Sequence, residues 1–454
     1  MPAFDASDTV AAIATAPGRG AVAIVRLSGA LALTIAARIF RTPRPLVPRV
    51  ATLGEVIDET GAAIDRGLGL AFPAPHSYTG EDVVELHVHG SPAIARDTLL
   101  AALAAGARLA NPGEFTRRAY LHGKLDLTAA EAVGELIEAE QRGHARAALA
   151  RVSGGLASEI DARRATLDAI AEDLGAALDF PDEVAEPEPR ALARRIDEVD
   201  SALGELARSW EAGRLVREGV AIALVGPPNA GKSSLLNALL GADRALVSEV
   251  AGTTRDTIDE TLALGDGVVA RLTDTAGLRA GADALEVAGV ARSEAALAGA
   301  TIALVVIDGS RPLTVEARTV LAKTRGRERL VFFNKADLGD GGFAEREAAE
   351  TSALCGSVHD VRDVARVRVA LRTLAGGENV DLARPYLGTA RQADGVLEAR
   401  RALALAKATL ANGEPIDLVA SDLGHARAAL AGITARDADE TLLDVIFARF
   451  CIGK

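Results

Sequence analysis

Gly226-Pro227-Pro228-Asn229-Ala230-Gly231-Lys232-Ser233 decides the fold of the middle of this 454-residue chain. The octapeptide has the spacing GxxxxGK[ST], which is that of a phosphate-binding loop. The apolar run Val220–Val225 precedes it and the helix-forming run Ser234–Leu240 follows it, so the order is strand, loop, helix. In that context the glycines let backbone N–H groups turn toward phosphates, and the helix adds its positive end. We expect Lys232 to reach the β- and γ-phosphates of a nucleotide and Ser233 to bind Mg²⁺.

A second motif, Asn334-Lys335-Ala336-Asp337, indicates which base is bound. It follows the apolar run Leu330–Phe333, which is typical of a buried strand. A carboxylate such as that of Asp337 accepts hydrogen bonds from both N1 and N2 of guanine, a pair of donors that adenine lacks. Ser352-Ala353 lies where the next base-contacting loop is due. These residues predict that the nucleotide is GTP rather than ATP.

Two segments between these motifs supply the expected switch residues. Asp274-Thr275-Ala276-Gly277 follows the strand-like run Val268–Thr273 and would bring a carboxylate and a glycine N–H near Mg²⁺ and the γ-phosphate. Gly252-Thr253-Thr254-Arg255-Asp256 lies between the phosphate loop and that motif, where a threonine must reach Mg²⁺. Leu278 stands where Ras-like GTPases carry the glutamine that orients water, and a leucine cannot do so. The nearby candidates for that role are Arg255, Arg279 and Glu286.

Changes in residue pattern along the chain predict a multidomain α/β protein. Up to Lys124, short β-rich runs alternate with helical ones, as in a compact α+β domain. Apolar residues then recur at helical spacing over Leu149–Leu178 and again over Leu192–Trp210, which predicts two long amphipathic helices. Alternation of β and α patterns follows over Val220–Leu374, after which the helical pattern returns. We expect an α+β domain at 1–124, an all-α helical domain split between 125–215 and 379–454, and an α/β domain inserted at 216–378.

The charge pattern limits the partners of this protein. The chain has 50 basic and 63 acidic residues, with a net charge of +1 up to Lys124 and −14 after it. A basic surface that holds nucleic acid by itself is therefore not expected. Cys355 and Cys451 are far apart, which excludes a disulfide framework, and we expect Cys355 to be structural. The first residues are acidic where a secretory signal is basic, and no apolar run approaches the roughly 20 residues of a membrane span. We expect a cytoplasmic protein without a membrane span.

Segments outside the nucleotide motifs resemble the MnmE (TrmE) family of tRNA modification GTPases. The resemblance covers nearly the whole length of the chain. The segments that carry it are Ala16-Pro17-Gly18-Arg19-Gly20, Val25-Arg26-Leu27-Ser28-Gly29, Ser77–Leu86, Pro112–Ala119, Gly123-Lys124-Leu125-Asp126-Leu127, Phe180-Pro181-Asp182-Glu183 and Phe450-Cys451-Ile452-Gly453-Lys454. Ribosome-assembly GTPases share the nucleotide motifs but lack these segments.

The resemblance implies a folate-binding N-terminal domain, a helical domain in two segments and an inserted Ras-like P-loop G domain. It implies a K⁺-dependent GTP hydrolase that acts with an FAD-dependent partner, MnmG (GidA), so that FAD enters only through the partner. Such proteins together place an aminomethyl or carboxymethylaminomethyl group on C5 of the wobble uridine of certain tRNAs. The one-carbon unit would come from 5-formyl- or 5,10-methylene-tetrahydrofolate. A homodimer held by the N-terminal domains, within a heterotetramer or larger complex, is also implied.

The resemblance also implies roles for residues of the nucleotide motifs. Glu286 would orient the attacking water, and Lys232 and Arg255 would be the other catalytic residues. Mg²⁺ would be held by Ser233 and Thr254. The K⁺ site would use Asn229, Ser248, Val250 and Thr253. The GTP-binding set would be Asn229, Ala230, Gly231, Lys232, Ser233, Ser234, Ser248, Glu249, Val250, Ala251, Gly252, Thr253, Thr254, Asp274, Thr275, Ala276, Gly277, Asn334, Lys335, Asp337, Ser352 and Ala353.

The folate site implied by the resemblance would use Arg26, Glu85, Lys124 and Lys454. The pterin ring offers guanine-like donors to the carboxylate of Glu85, and the cationic side chains suit the glutamate tail. Cys451 lies in the C-terminal signature. Both a reactive thiol and a local structural role stay open for it, because no His–Asp partner is evident beside it.

Two other interpretations stay open at this point. A ribosome-assembly GTPase switch would carry the same nucleotide motifs, but it would need a basic RNA-binding face, which the net charge disfavours. Glu85, His87 and His89 alternate along a predicted strand and so share one face. His-x-His can hold a metal, and His76 or His122 would have to complete the ligand set. A polar face that lines a pocket or an interface is the simpler interpretation.

Overall fold

A computed structural model of this protein describes residues 8–139, 142–244, 260–265, 267–273, 297–339, 353–379, 385–435 and 438–454. The chain divides into two compact units. The first unit combines residues 1–138, 148–204 and 389–454, and the second combines 139–147 and 205–388. The predicted α+β region and the bulk of both helical segments therefore belong to the first unit, and the β/α region belongs to the second.

A seven-stranded sheet opens the first unit. Its strands are β1 (Val10–Ile13), β2 (Val22–Ser28), β3 (Phe40–Arg41), β4 (Thr52–Ile57), β5 (Ala63–Phe72), β6 (Val83–His89) and β7 (Arg108–Leu109). Their spatial order is β3-β4-β5-β6-β2-β1-β7, and all neighbours are antiparallel except β1 and β7. The helices α1 (Ala32–Ile39) and α2 (Pro92–Ala104) contribute to a core on one face, where Leu27 and Leu86 are fully buried.

The other face of this sheet leaves large apolar side chains exposed. Leu53 on β4 lies opposite Leu68 on β5, and Val22 on β2 lies opposite His89 on β6. The exposed fractions of Val22, Leu53 and Leu68 are 53%, 51% and 38%. These side chains lie on the face of the sheet away from α1 and α2.

Five helices follow the sheet in the chain. They are α3 (Glu114–Leu121), α4 (Leu127–Glu138), α5 (Arg142–Val152), α6 (Gly155–Asp179) and α7 (Pro189–Glu218). The predicted apolar stripe is buried in α6, where Leu156, Leu167 and Leu174 are fully buried. The single long helix predicted over Leu149–Leu178 is wrong, because Gly154, with φ of 83°, separates α5 from α6.

The second predicted helix, α7, continues to Glu218, beyond the apolar stripe that ends at Trp210. Gly213 lies inside the helix and does not end it. A glycine is needed at this position because the helix passes close to Tyr386. A Cβ at Gly213 would come within 2.3 Å of the ring of Tyr386. The predicted domain junction between 215 and 216 falls within this helix.

The second unit contains a six-stranded sheet. Its strands are β8 (Val220–Val225), β9 (Glu260–Gly265), β10 (Val268–Thr273), β11 (Ile302–Asp308), β12 (Arg329–Asn334) and β13 (Leu354–Cys355). The order is β13-β12-β11-β8-β10-β9, and only β9 runs antiparallel to its neighbour. The described helices are α8 (Lys232–Arg244), α9 (Val315–Lys323) and α10 (Val361–Leu374). Every residue of β11 is buried, as expected for a central parallel strand covered on both faces.

The helical pattern returns in the first unit with α11 (Ala390–Ala411), α12 (Ile416–Thr434) and α13 (Glu440–Phe447). Ion pairs join this segment to the earlier helices. Arg391 binds the buried Glu131 with two hydrogen bonds of 2.9 Å. Arg400 donates to Asp200 at 2.8 Å and Arg427 to Asp168 at 2.6 Å. The two helical segments therefore form one packed region, which confirms the predicted fold class.

Candidate functional site

The phosphate loop connects β8 to α8, as its motif predicts. Gly226 has φ of 155°, and a Cβ there would lie 2.2 Å from the carbonyl oxygen of Val306. Gly231 has φ of 95°, and a Cβ there would lie 2.2 Å from Nδ2 of Asn334. The two glycines thus let the loop lie directly against the ends of β11 and β12.

Lys232 is the first residue of α8, and its ammonium group lies inside the loop. Its Nζ donates to the carbonyl oxygens of Gly226 and Pro227, both at 2.8 Å. Burial lowers the pKa of Lys232, because a charged group loses hydration there. An ammonium held by carbonyl groups at a helix N-terminus is suited to phosphate oxygens, which carry more negative charge than carbonyls.

Asn334 and Asp337 of the guanine motif have different surroundings. Asn334 is buried, and its Nδ2 donates to the carbonyl of Ala230 at 2.9 Å. Its Oδ1 accepts from the N–H of Val358 at 3.1 Å. Asp337 is exposed, and a hydrogen bond from the side chain of Ser357 lowers its pKa. Asn334 therefore ties the phosphate loop to the guanine segment, whereas Asp337 presents an ionised carboxylate.

The loop beside the guanine motif is not the predicted one. Ala353 lies just before β13, and because β12 and β13 are parallel this is the end of the strand away from the motif. The residues after β13 lie next to the motif instead, where the carbonyl of Gly356 accepts from the N–H of Ala336 at 3.1 Å. Gly356–Val358 is thus the adjacent loop. Ser352-Ala353 has the residue types expected of a base-contacting loop. The pairing of β12 with β13 is what shows which residues lie beside the guanine motif.

Asn229, Ser233 and Ser234 are exposed along the loop and the first turn of α8. Asn229 has φ of 60°, a left-handed conformation that asparagine tolerates. The remaining nucleotide and switch residues lie outside the described residues. These are Ser248, Glu249, Val250, Ala251, Gly252, Thr253, Thr254, Arg255, Asp274, Thr275, Ala276, Gly277, Arg279, Glu286 and Ser352.

A second cluster of predicted residues lies on the open face of the first unit's sheet. Arg26 on β2 and Glu85 on β6 are directly paired across the strands. Nε and Nη2 of Arg26 lie 2.9 and 2.8 Å from Oε1 of Glu85. The guanidinium carbon lies 5.9 Å from the ring centre of Tyr78 and 5.5 Å from that of Phe115. His87 Nε2 lies 3.2 Å from the other carboxylate oxygen, Oε2.

The C-terminal segment Cys451–Lys454 docks beside this cluster. The N–H of Phe115 donates to the carbonyl of Lys454 at 3.1 Å, and the N–H of Gly113 to that of Cys451 at 3.4 Å. Gly453 has φ of 98°, and a Cβ there would lie 2.2 Å from the carbonyl oxygen of Ile13. Phe115 thus contacts Arg26 through its ring and Lys454 through its backbone, which brings the C-terminal segment next to Arg26.

Lys124 contacts the loop that also carries Tyr78 of the cluster. Its Nζ donates to the carbonyl of Pro75 at 3.1 Å, and Tyr78 follows in the same loop. The hydroxyl of Tyr78 is 2.9 Å from that of Thr116. Tyr78 is a functional candidate that the sequence patterns do not single out, although Ser77–Leu86 contains it, and the buried Phe115 and Thr116 support it and Arg26 from below. Tyr78 and Phe115 come from segments far from Arg26 in the chain, and only the tertiary fold brings their rings to its guanidinium group.

A buried ionic network holds the loop that carries Tyr78. Arg118, fully buried, lies 3.0 Å from Glu81 and 2.9 Å from Glu114. Arg108 also binds Glu114 at 2.7 Å. Burial opposes ionisation of Glu114, yet hydrogen bonds from Arg108, the Asn111 N–H and Arg118 outweigh it and lower its pKa. The network therefore stays charged and fixes the loop to α3.

The histidine and cysteine candidates differ in their surroundings. His87 pairs with Glu85, and Nδ1 of His89 lies 2.8 Å from Asp65. Within the described parts of the chain, no three or more His, Cys, Asp or Glu side chains are grouped as a metal site. Cys451 is exposed, whereas Cys355 is half-buried in β13.

Among the described residues, no helix has the length and apolar character that crossing a membrane requires. Comparison with known proteins gives matches along the chain. A family model described as the GTP-binding protein TrmE N-terminus matches residues 9–124, and the MnmE helical domain matches 127–451.

Full-length relatives carry the name tRNA modification GTPase MnmE. The protein from Moorella thermoacetica is 43% identical over 98% of this chain and 99% of its own length. That from Symbiobacterium thermophilum is 44% identical over 98% of this chain and 99% of its own length. Among solved structures, the FeoB G domain of Methanococcus jannaschii is 19% identical, with a TM-score of 0.25, and covers 35% of this chain and 98% of its own.

Proposed function

Because this chain belongs to the MnmE family of tRNA modification GTPases, we propose that it is a K⁺-dependent GTP hydrolase that modifies the wobble uridine of certain tRNAs. With an FAD-dependent partner of the MnmG (GidA) type, it forms the aminomethyl or carboxymethylaminomethyl group at C5 from a tetrahydrofolate one-carbon unit. One observation carries the proposal. A phosphate loop and a separate cluster built around Arg26 and Glu85 occur in the two units of a single chain.

Hydrolysis would use the phosphate loop and the switch segments together. Lys232 and the N-terminus of α8 stabilise negative charge on the β- and γ-phosphates. Asp337 accepts from the guanine edge. Glu286 orients the attacking water, a role that Leu278 cannot fill, and Arg255 is the other catalytic candidate. The support is the position of Lys232 within the loop and the exposed carboxylate of Asp337.

The cation sites of this proposal consist of oxygen donors. Mg²⁺ would be held by the hydroxyls of Ser233 and Thr254, which suit a hard cation. K⁺ would be held near Asn229, with Ser248, Val250 and Thr253 completing the K⁺ set. The exposed side chains of Asn229 and Ser233 at the loop and at the start of α8 fit these roles. K⁺ would supply positive charge between the β- and γ-phosphates, where other GTPases use an arginine.

The K⁺ assignment has a direct test in GTP hydrolysis rates. We expect wild type to hydrolyse GTP at least about tenfold faster in KCl than in NaCl, because a missing positive charge weakens transition-state stabilisation. Asn229→Ala should remove most of that difference, whereas Asn237→Ala, on the exposed side of α8, should keep it. Equal wild-type rates in the two salts would contradict the K⁺ site.

The folate derivative would bind at the cluster on the open sheet face. Glu85 is the acceptor for the donors of the pterin ring, and its Oε2 faces His87 while Oε1 binds Arg26. The exposed ring of Tyr78 beside Arg26 offers apolar surface next to the charges, and the buried ring of Phe115 supports the guanidinium of Arg26. Lys124 and Lys454 would meet the glutamate tail. Cys451, exposed and adjacent, stays open as a thiol that acts near the one-carbon unit.

The open sheet face also supports the homodimer in this proposal. Val22, Leu53 and Leu68 are exposed there, and a second copy of the face would bury them. The dimer would bind the flavoprotein in a heterotetramer or larger complex, in the cytoplasm. The net charge of −13 disfavours extensive direct contact with tRNA phosphates, so the partner would supply much of that contact.

The test is mass spectrometry of tRNA nucleosides from cells with and without this chain. We expect the 5-substituted wobble uridines to disappear in the deletion strain and to return when the chain is supplied. Unchanged nucleosides would remove the folate and flavoprotein assignments and leave the GTPase without its tRNA role.

A further inference from the structure

Asp308 is a buried carboxylate beside the guanine segment that no nucleotide motif includes. It is the last residue of β11 and pairs in register with Asn334, the last residue of β12. Its exposed fraction is only 9%. A buried carboxylate needs donors that replace its lost hydration, so its partners indicate what the position requires.

Each oxygen of Asp308 has its own set of donors. Oδ1 accepts from the N–H and the hydroxyl of Ser310, at 3.1 and 2.6 Å. Oδ2 accepts from Nζ of Lys335 at 2.8 Å, and Nε of Arg311 lies 3.5 Å from it. Burial opposes ionisation of Asp308, yet the hydrogen bonds from Lys335 and Ser310 outweigh it and lower its pKa. The carboxylate is therefore a charged, fixed acceptor for the ammonium of Lys335.

Lys335 is held at both its backbone and its side chain. Its φ of 68° is left-handed, which is uncommon for a residue with a long side chain. The neighbouring Asn334 is anchored to the phosphate loop through Ala230. From this position the side chain of Lys335 runs from the end of β12 to the end of β11, where Asp308 receives it. The contact orders the flexible side chain of Lys335 before a nucleotide binds. The conformational entropy of that side chain is therefore lost on folding and not on nucleotide binding.

We propose that Asp308 is a positioning residue of the guanine site, which holds the methylenes of Lys335 across the carboxyl edge of β11 and β12 as a wall for the purine ring. A lysine stem is apolar and can cover the face of a ring. Asp337 would recognise the guanine edge, whereas Asp308 acts only through Lys335. The inference rests on the assignment of Asn334–Asp337 as the guanine segment in the proposed function.

This role predicts a loss of affinity without a change in base preference. Asp308→Ala should weaken GDP binding about tenfold, since Lys335 loses its charged acceptor. Inosine diphosphate lacks the N2 amino group of guanine but has the same ring face. The ratio of GDP to inosine diphosphate affinities should therefore stay at the wild-type value in Asp308→Ala and fall toward one in Asp337→Ala.

Calorimetric titration of the full chain with GDP and with inosine diphosphate tests the proposal. The variants are Asp308→Ala, Lys335→Ala, their double variant and Asp337→Ala, with Asp200→Asn as the matched control. Asp200 is a half-buried aspartate that also has cationic partners, Arg400 and Lys407, and it lies in the first unit. We expect each single change at Asp308 or Lys335 to weaken GDP about tenfold, the double variant to be no weaker than Lys335→Ala, and the control to bind as wild type.

The proposal and the guanine assignment fail in distinguishable ways. If Asp308→Ala weakens GDP further in the Lys335→Ala background, or alters the base ratio, Asp308 does not act through Lys335. If Lys335→Ala binds GDP as wild type does, Lys335 does not form a wall for the purine ring and the proposal fails. If Asp337→Ala keeps the wild-type ratio of GDP to inosine diphosphate affinities, the guanine assignment itself fails. Should Asp308→Ala fold poorly, Asp308→Asn keeps the shape and one oxygen acceptor, and we expect it to keep the wild-type melting temperature while weakening GDP about threefold. Unchanged GDP binding in Asp308→Asn and Asp308→Ala would contradict the role.

Discussion

The phosphate loop and the folate candidate cluster are built in different ways. The loop is one octapeptide between β8 and α8, and its lysine bonds to carbonyls only five and six residues away. The cluster brings Arg26, Glu85, Phe115 and Lys454 together from segments far apart in the chain. A contiguous site depends mainly on its own residues, whereas an assembled site depends on every contact that brings its segments together. Substitutions should therefore act locally in the first and propagate in the second.

The largest effect is expected at Lys232. Lys232→Ala should lower the rate of GTP hydrolysis at least about 100-fold, because it removes the charge beside the transferred phosphoryl group. Tetrahydrofolate binding, measured by calorimetry, should stay at the wild-type level. Lys323→Ala, at the exposed end of α9, is the matched control and should hydrolyse GTP normally. A hydrolysis rate for Lys232→Ala within threefold of wild type would contradict the role of the phosphate loop in GTP hydrolysis.

Gly453→Ala tests whether the cluster depends on a distant contact. An alanine at φ of 98°, with its Cβ 2.2 Å from the carbonyl of Ile13, cannot keep the docked position of Cys451–Lys454. The strain should lower the free energy of unfolding by about 2 kcal/mol and weaken tetrahydrofolate binding together with it. Urea titration and calorimetry measure the two effects.

Gly424→Ala provides the control for that substitution. Gly424 lies within α12, and nothing lies within 4 Å of a Cβ placed there. Alanine should be neutral or slightly stabilising in a helix. Equal stability and folate affinity in Gly453→Ala and Gly424→Ala would show that the C-terminal segment does not build the cluster.

A smaller effect is expected at the centre of the cluster. Glu85→Ala should weaken tetrahydrofolate binding about tenfold, since the pterin donors lose their charged acceptor. GTP hydrolysis should not change. Glu55→Ala is the control, because Glu55 is also a strand glutamate paired with an arginine, Arg41, in the same sheet. Wild-type folate affinity in Glu85→Ala would place the ligand elsewhere.

The smallest effect concerns pH and the network that holds the Tyr78 loop. The pKa of Glu114 is lowered in the folded chain, so its stabilising contribution is complete above its unfolded pKa of about 4.3 and is lost as pH falls through the folded value. We expect the free energy of unfolding to fall between about pH 5 and pH 3, and Glu114→Gln to flatten that fall by about 1 kcal/mol. Parallel pH profiles for the two proteins would remove Glu114 from the acid response.

The contiguous site is also the one that the sequence predicts best. The apolar runs Val220–Val225 and Val268–Thr273 coincide with β8 and β10, and β12 extends the predicted run by one residue at each end. Strand, loop and helix follow each other in the chain, so local pattern is sufficient. The loop after β13 is missed because its place beside Ala336 depends on pairing between β12 and β13.

The assembled cluster could be predicted only through family resemblance. Composition and spacing do not indicate that the ring of Phe115 faces Arg26, or that Lys454 meets Phe115. The break of the predicted helix at Gly154 has a similar origin, since hydrophobic spacing continues across a residue whose backbone turns to φ of 83°. Hydrophobic periodicity does not predict tertiary contacts or the backbone angle of a single residue.

In the proposed function, both sites serve one modification of tRNA. The most direct test is mass spectrometry of tRNA nucleosides from a deletion strain that carries wild type, Lys232→Ala or Glu85→Ala, with Glu55→Ala as control. We predict that wild type and the control restore the 5-substituted wobble uridines and that neither site variant does, although each retains the activity of the other site. Full restoration by Glu85→Ala, at equal protein level, would contradict the claim.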